Sequence, residues 1–486
     1  MSEEQVRENP FYAAPESKKM VTLIGVYLGV IANLLVSSTN ATLLPVAAAE
    51  LGGLEIYGLA QSVAGVLGVC AMPIFGFIGA RQPQLKRLLL AGGLGVGAIV
   101  IFARAIAMNF WVIIIANVFW GLVSAGVFVV GFTMVRDMFD QKKAGFYLGL
   151  NGTMMSIAMI AGPFLGGLVI DNVSWRVWSW IVFAFLALAT VLVFVFGIKA
   201  TKEQVAGMAV KGGSFDFAGG AAVTVFLAMV ILVLSLGGSY VPFGSAGSWT
   251  MIAVGIVALI ALVFIVRKKG NDAIVPLDAI KDRNTLVFSG TNLLHNLGQM
   301  SITFFVPAFV MMQLVNDPLV GMLGAALAGG MVTVCLAIPG LFLGPIWGKM
   351  IAKDSSAKRA MTIANVFRII VMGALLFVLV PTTPAWVIFL IVLLAGIYNS
   401  NMTVAMSAGP QIQLKPELRV TGNSVVQLGQ NLGAGIGVAL FTFVIGIDPV
   451  YGMTICIAIS LVCFVVLFFI TLFLKKGGDA TQQGRQ

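Results

Sequence analysis

The sequence predicts an all-α integral membrane protein: fourteen transmembrane helices, arranged as two six-helix bundles plus a two-helix insert. Three observations predict it. The 486 residues are 59% hydrophobic and only 10% charged, with a mean hydropathy of +1.02. A soluble domain carries about 25% charge, so these few charges cannot cover a water-soluble surface. The apolar residues fall into fourteen stretches, each close to the roughly 20 residues that cross a hydrocarbon core. Backbone facing lipid must satisfy its own hydrogen bonds, so each stretch should be helical. Finally, all but Arg104, Arg176 and Arg368 of the 29 lysines and arginines lie in alternate loops and the two tails. That is the positive-inside pattern. An even number of spans then puts both termini in the cytoplasm, in a multi-pass protein of the cell (plasma) membrane.

The spans follow in order, each bounded by polar or basic residues. Span 1 (20–45) follows Lys18 and Lys19 and carries Asn33, Ser37 and Asn40. Span 2 (57–79) ends on Pro73-Ile74-Phe75-Gly76 before Arg81. Spans 3 (88–107) and 4 (111–134) run between Lys86-Arg87 and Arg136. Spans 5 (146–170) and 6 (178–198) flank Ser174-Trp175-Arg176, whose tryptophans suit an interfacial belt. Spans 7 (217–237) and 8 (249–266) lie between linkers 199–216 and 267–284. Span 9 (285–312) is the most polar. Span 10 (320–348) ends on Pro345-Ile346-Trp347-Gly348. Spans 11 (360–380), 12 (386–409), 13 (422–446) and 14 (452–474) complete the set.

The two Pro-Ile-aromatic-Gly ends precede basic turns at matching places, after spans 2 and 10. An internal repeat of this kind is the usual plan of secondary transporters. It divides the chain into a tail (1–19), an N-terminal bundle (20–198), an insert with its linkers (199–283), a C-terminal bundle (284–474) and a second tail (475–486). Cys70, Cys335, Cys456 and Cys463 sit in apolar stretches without metal-ligand spacing and read as packing. The polar, acidic first residues and the long first apolar stretch do not fit a cleaved secretory signal.

Span 5 contains Gly162-Pro163-Phe164-Leu165-Gly166-Gly167, and span 13 contains Gln427, Gly429, Gln430, Asn431, Gly433 and Gly437. With the Ser174-Trp175-Arg176 segment, Asp216 before span 7 and Pro276-Leu277 before span 9, the chain resembles the major facilitator superfamily. Within it the chain is similar to the fourteen-span drug:proton antiporter branch, the EmrB/QacA type. The resemblance covers nearly the whole chain. It implies alternating access between two bundles and export of lipophilic drugs against protons. It also implies that Gly162, Pro163, Gly166, Gly167, Gly429, Gly433 and Gly437 provide close, sliding packing between bundles. The chain departs from the branch where Val36, Ala80 and Ala352 replace acids and Asn117 replaces an arginine.

Ionisable groups inside a membrane are costly and mark functional sites. No acid lies deep in a predicted span, whereas Arg368 and His295 do. Arg368 could clamp a carboxylate with its planar fork, or snorkel to the interface. His295, the only histidine, lies with Asn292, Asn296, Gln299 and Thr303 on one helical face. It could carry a coupling proton, or simply bridge two helices. Asn33, Ser37, Asn40, Gln61 and Asn399 extend a polar lining, although any one of them could be an ordinary interhelical bond. Arg104, near the end of span 3, should snorkel.

With one histidine, no phosphate loop and no metal cluster, nothing points to an enzyme. The sequence predicts a secondary active transporter whose cavity charge is cationic, hence suited to an amphipathic organic anion such as a carboxylate or bile-acid-like molecule, moved by alternating access with protons. The alternative is multidrug efflux of lipophilic cations or neutral drugs by proton antiport. No cofactor or metal is expected. The partners are a small solute, protons and the bilayer, with no nucleic acid, and the protein should act as a monomer.

Overall fold

The computed structural model describes residues 10–475, apart from 65, 140, 206–214, 237–240, 243, 275, 355, 415–418 and 449–450. Of the lysines and arginines in the basic loops and tails, Arg7, Lys211, Lys415, Lys476 and Arg485 lie outside the described residues. So do the side chains of Cys70, Lys142, Ala352 and Arg419. The long helices are α1 (Glu16–Leu51), α2 (Leu54–Arg81), α3 (Pro83–Ala105), α4 (Phe110–Met138), α5 (Gln141–Asn172), α6 (Trp175–Phe196), α7 (Phe217–Leu236), α8 (Ala246–Lys269), α9 (Arg283–Gln313), α10 (Ala325–Asp354), α11 (Lys358–Val378), α12 (Ala385–Gln413), α13 (Arg419–Ile447) and α14 (Gly452–Leu472). Among the described residues, thirteen helices are long and apolar enough to cross a membrane. The apolar part described in α5 is shorter, Ile157–Asn172.

Local signals explain the boundaries. Asn109, Ser174, Ser245 and Asp282 each cap a helix by accepting a backbone N–H. α1 stops at Gly52, whose φ of 73° is left-handed. The chain runs back and forth, so one end of the molecule gathers the basic turns and the opposite, far end gathers the others.

Helices α1–α6 pack mainly on one another: α6 on α3, α1 on α5, and α4 on both α2 and α3. Helices α9–α14 do the same, through α9 with α13 and α14, α10 with α12, and α11 with α12 and α14. α7 packs against both α2 and α13, whereas α8 packs chiefly on α7 and is the least buried of the apolar helices. Its apolar residues, Phe264 and Ile260 among them, remain exposed as lipid-facing surface should.

The two sets of helices meet most closely at the far end, where α5 packs on α10 and α2 on α13. A Cβ on Gly167 would lie 2.6 Å from Leu327 Cα, and one on Gly330 would lie 2.5 Å from the Pro163 carbonyl. Only glycine allows this backbone-to-backbone approach. Asp171, at the end of α5, accepts from the Ala326 and Leu327 amides at 2.9 and 2.7 Å, capping the start of α10. Tyr57 stacks on Phe304 with ring centroids 5.6 Å apart. The glycines expected to slide between the two sets divide differently. Gly162 and Gly166 face Ser38 and Thr39 of α1, while Gly429, Gly433 and Gly437 face Ser289, Leu293 and Leu297 of α9. Of that set, Gly167 and Pro163 are the ones that meet the other half. Sequence spacing identified close-packing faces but could not name the helix each face meets.

Candidate functional site

A cavity of about 560 Å³ lies in the basic-end half, between α2, α4, α7 and α13. Gly68, Met72, Pro73, Gly76 and Phe77 line it from α2, and Asn423, Gln427, Leu428 and Asn431 line it from α13. Val129, Val223, Phe215 and Ile274 add apolar wall, and Asp216 and Asp272 supply carboxylates. The wall is thus mostly apolar with amide groups and acids, and no lining residue is basic.

Asp216 is the best anchored of these groups. Its carboxylate accepts from the Gly219 amide at 2.8 Å and the Ile274 amide at 3.0 Å, and pairs with Lys269 at 3.0 Å. Burial opposes its ionisation, but the two amides and Lys269 prevail and hold its pKa below the usual carboxylate value. One side chain therefore ties the start of α7 to the segment after α8.

The polar face of α9 splits between neighbours. Asn292 is buried and donates to the Val426 carbonyl of α13 at 3.0 Å. Asn296 is half-buried and donates to the carbonyl and the side-chain oxygen of Asn292. His295 is buried, its ring stacked on Phe464 at 6.4 Å, with Nδ1 unpartnered among the described residues. Gln299 donates to Thr303 Oγ1 at 3.4 Å and leaves Oε1 unpartnered. A π-helical turn over Ser301–Phe305 shifts the register just beyond Gln299, which simple helical spacing did not anticipate.

Arg368 neither snorkels nor lines the cavity. It is fully buried, with its guanidinium 4.8 Å from the ring centroids of both Tyr398 and Phe464. Its three nitrogens have no hydrogen-bond partner among the described residues. The expected vestibule clamp is instead a cation held between two aromatic faces inside α11, α12 and α14. Its neighbours are set by packing that sequence does not show. Asn399 is half-buried on α12.

In the first six helices, Asn33 donates to Ser124 Oγ of α4 at 3.1 Å, and Ser37 is exposed in mid-helix. Asn40 donates to Gln61 Oε1 at 2.8 Å and accepts from Arg104 Nη1 at 3.1 Å. Arg104 is therefore a fully buried member of the polar set, not the snorkelling residue its position suggested. Asn117 donates to the Ala60 carbonyl and fixes α4 to α2. Among the described residues, no group of three or more His, Cys, Asp and Glu could hold a metal ion.

Comparison with known proteins gives one family. The sequence profile of the Major Facilitator Superfamily matches residues 26–270. The chain is 23% identical to multidrug resistance protein 3 of Bacillus subtilis (strain 168), over 88% of this chain and 80% of that protein. It is 24% identical to the efflux pump dotC of Dothistroma septosporum, over 86% of this chain and 69% of that protein. In shape it is similar to the crystal structure of the nucleoside transporter NupG, with a TM-score of 0.63, 14% identity, and 93% and 98% of the two chains covered. It is also similar to the POT family transporter PepTSo, with a TM-score of 0.64, 13% identity, and 97% and 100% covered. At these identities the solved structures speak for the fold alone.

Proposed function

The chain belongs to the Major Facilitator Superfamily, and on that premise we propose that it exports lipophilic neutral or cationic solutes by proton antiport. Membership makes it a multi-pass membrane transporter of the secondary type rather than an enzyme. The single observation that carries the substrate class is the cavity wall: apolar, edged by amides and by two acids, Asp272 and the Lys269-paired Asp216, with no basic residue in the lining itself. Such a wall favours uncharged or positive solutes. The relatives named as a multidrug resistance protein and an efflux pump support the same reading. The organic-anion alternative needs Arg368 in the solute's path, and its seat between Tyr398 and Phe464 removes that support.

Helices α1–α6 and α9–α14 act as two six-helix bundles, corresponding to 20–198 and 284–474, with 199–283 as the insert. The cavity between α2 and α13 at the basic end and the interlock at the far end fit an inward-facing state, with the basic end in the cytoplasm of a plasma-membrane protein. His295 is the proton carrier on this reading, because it is the one histidine of the chain and its Nδ1 has no hydrogen-bond partner among the described residues. Asn292, Asn296 and Gln299 position it, while Ser37, Gln61 and Asn399 make the polar surface that solute crosses, backed by the buried Asn33 and Asn40.

The test is transport in proteoliposomes with an imposed pH gradient, comparing ethidium, Nile red and taurocholate. Gradient-driven movement of the first two without taurocholate supports export of cations and neutral solutes. Movement of taurocholate alone, lost in Arg368→Ala, returns the organic-anion reading. For His295→Gln, retained transport that no longer responds to the gradient supports its coupling role, and an unchanged response removes it.

A further inference from the structure

Arg104, in the last turn of α3, is a fully buried cation whose one recorded hydrogen bond is to Asn40 Oδ1. Its Nε and Nη2 are buried without partners among the described residues. A charge in such a place is costly, so what it does for its neighbour matters.

An arginine can only donate. Asn40 must therefore turn its carbonyl oxygen to Arg104, and its amide NH₂ turns the other way, to Gln61. Gln61 in turn must accept with Oε1, at 2.8 Å. Its own NH₂ is left over, with no further partner among the described residues. An isolated asparagine or glutamine amide can face either way. Here a donor-only residue at the head of the chain fixes both. The backbone below Gln61 is fixed as well, since Asn117 donates to the Ala60 carbonyl at 3.0 Å.

The end of this relay is open. Asn40 is buried, but Gln61 is half-buried, and Ser37, on the same side of α1, is exposed. Gln61 lies on α2 seven and eleven positions before Gly68 and Met72, which line the cavity, and so stands on the far-end side of it.

We propose that Arg104, acting through Asn40, orders the Gln61 amide so that it offers only hydrogen-bond donors, making Gln61 a specificity residue that selects lipophilic solutes bearing an acceptor oxygen. This rests on the export reading above. Arg104 is a positioning residue and Gln61 is the group that touches solute. The buried guanidinium adds a positive field that also favours the oxygen end of a carbonyl.

Three near-isosteric neutral tricyclics test it: fluorenone carries an acceptor, fluorene neither group and carbazole a donor. Each is titrated in tritiated form against the purified protein in nanodiscs by scintillation proximity, counting only signal displaced by excess unlabelled ligand. The wild type should bind fluorenone about 3- to 10-fold more tightly than fluorene, the value of one added hydrogen bond, and carbazole most weakly. Gln61→Leu should bring the fluorenone-to-fluorene ratio to about one. Arg104→Gln should lower the ratio, because glutamine can present either group, while Arg104→Lys should keep it. Asn40→Asp is the decisive variant. A carboxylate still pairs with Arg104 but can only accept, so Gln61 must donate to it and expose its oxygen. Carbazole should then bind more tightly than fluorenone. Equal wild-type binding of the three, or an unchanged order in Asn40→Asp, overturns the relay while leaving the export reading standing. Displaceable binding of none of them overturns both.

Discussion

At the scale of single residues, the buried cations are the most instructive. An arginine at the centre of a membrane helix costs about 2.5–3.5 kcal/mol on insertion scales. A cation over an aromatic ring recovers up to about 2 kcal/mol when desolvated. Arg368, between Tyr398 and Phe464, therefore approaches balance through stacking rather than through a carboxylate. Lysine carries the same charge but cannot stack a planar group on two rings. Arg368→Lys should thus lower stability by about 1–2 kcal/mol, read as a lower unfolding temperature of the detergent-solubilised protein; an unchanged temperature would show that the stack contributes nothing. Asp216 offers a pH test. Its folded pKa is below that of a free carboxylate, so its contribution to stability is present above the unfolded pKa of about 3.9 and is lost as pH falls through the lower, folded value. The loss of stability on acidification should be smaller in Asp216→Asn, measured as unfolding temperature against pH; identical profiles would contradict the linkage. The sequence showed Arg368 and His295 deep in predicted spans and Asp216 just before span 7. It did not show Tyr398 and Phe464 around Arg368, nor Lys269 and Ile274 around Asp216, because those neighbours come from other helices.

At the scale of elements, helical periodicity was the strongest signal. Expected spans such as 88–107, 217–237 and 386–409 lie close to Pro83–Ala105, Phe217–Leu236 and Ala385–Gln413, since hydrophobic length sets a spanning helix. Contacts between elements were less legible. The cap that Asp171 places on α10 joins residues 155 and 156 positions apart, with no pattern in sequence to link them. If that cap and the Gly167–Leu327 and Pro163–Gly330 contacts hold the far end shut, then Asp171→Ala or Gly330→Val should open it. Thr333, buried on α10 just beyond Gly330, reports this when replaced by cysteine. Labelling by an impermeant maleimide from the far side should rise several-fold in either variant, and equal labelling would show that these contacts do not seal it. Asp317 is a similar joint. It caps Pro318–Leu323 and accepts from the Ala385 amide of α12 at 3.0 Å. That amide, ahead of the two amides of its own short helix, keeps its pKa low. Asp317→Ala should cost about 1 kcal/mol, the typical loss for an N-cap, seen as a lower unfolding temperature.

At the scale of the whole molecule, topology and solute path are separate questions. Orientation can be read by labelling single cysteines in intact cells. Met108→Cys, in the strongly exposed turn between α3 and α4, should react with an impermeant maleimide, whereas Gln82→Cys, in the basic turn after α2, should not; the reverse pattern would invert the protein in its membrane. The sequence by itself determined that the chain is a helical membrane protein of facilitator type, with its basic loops on one side. These properties follow from hydrophobic length, charge placement and short local motifs, each written in neighbouring residues. Only the tertiary structure decided which polar faces meet, that Arg368 is enclosed by rings while Arg104 heads a chain of amides, and that the far end is interlocked over a cavity edged by acids. Burial and hydrogen-bond partners depend on how separate helices pack, and a helix's own sequence gives the face to be buried but not the helix that buries it.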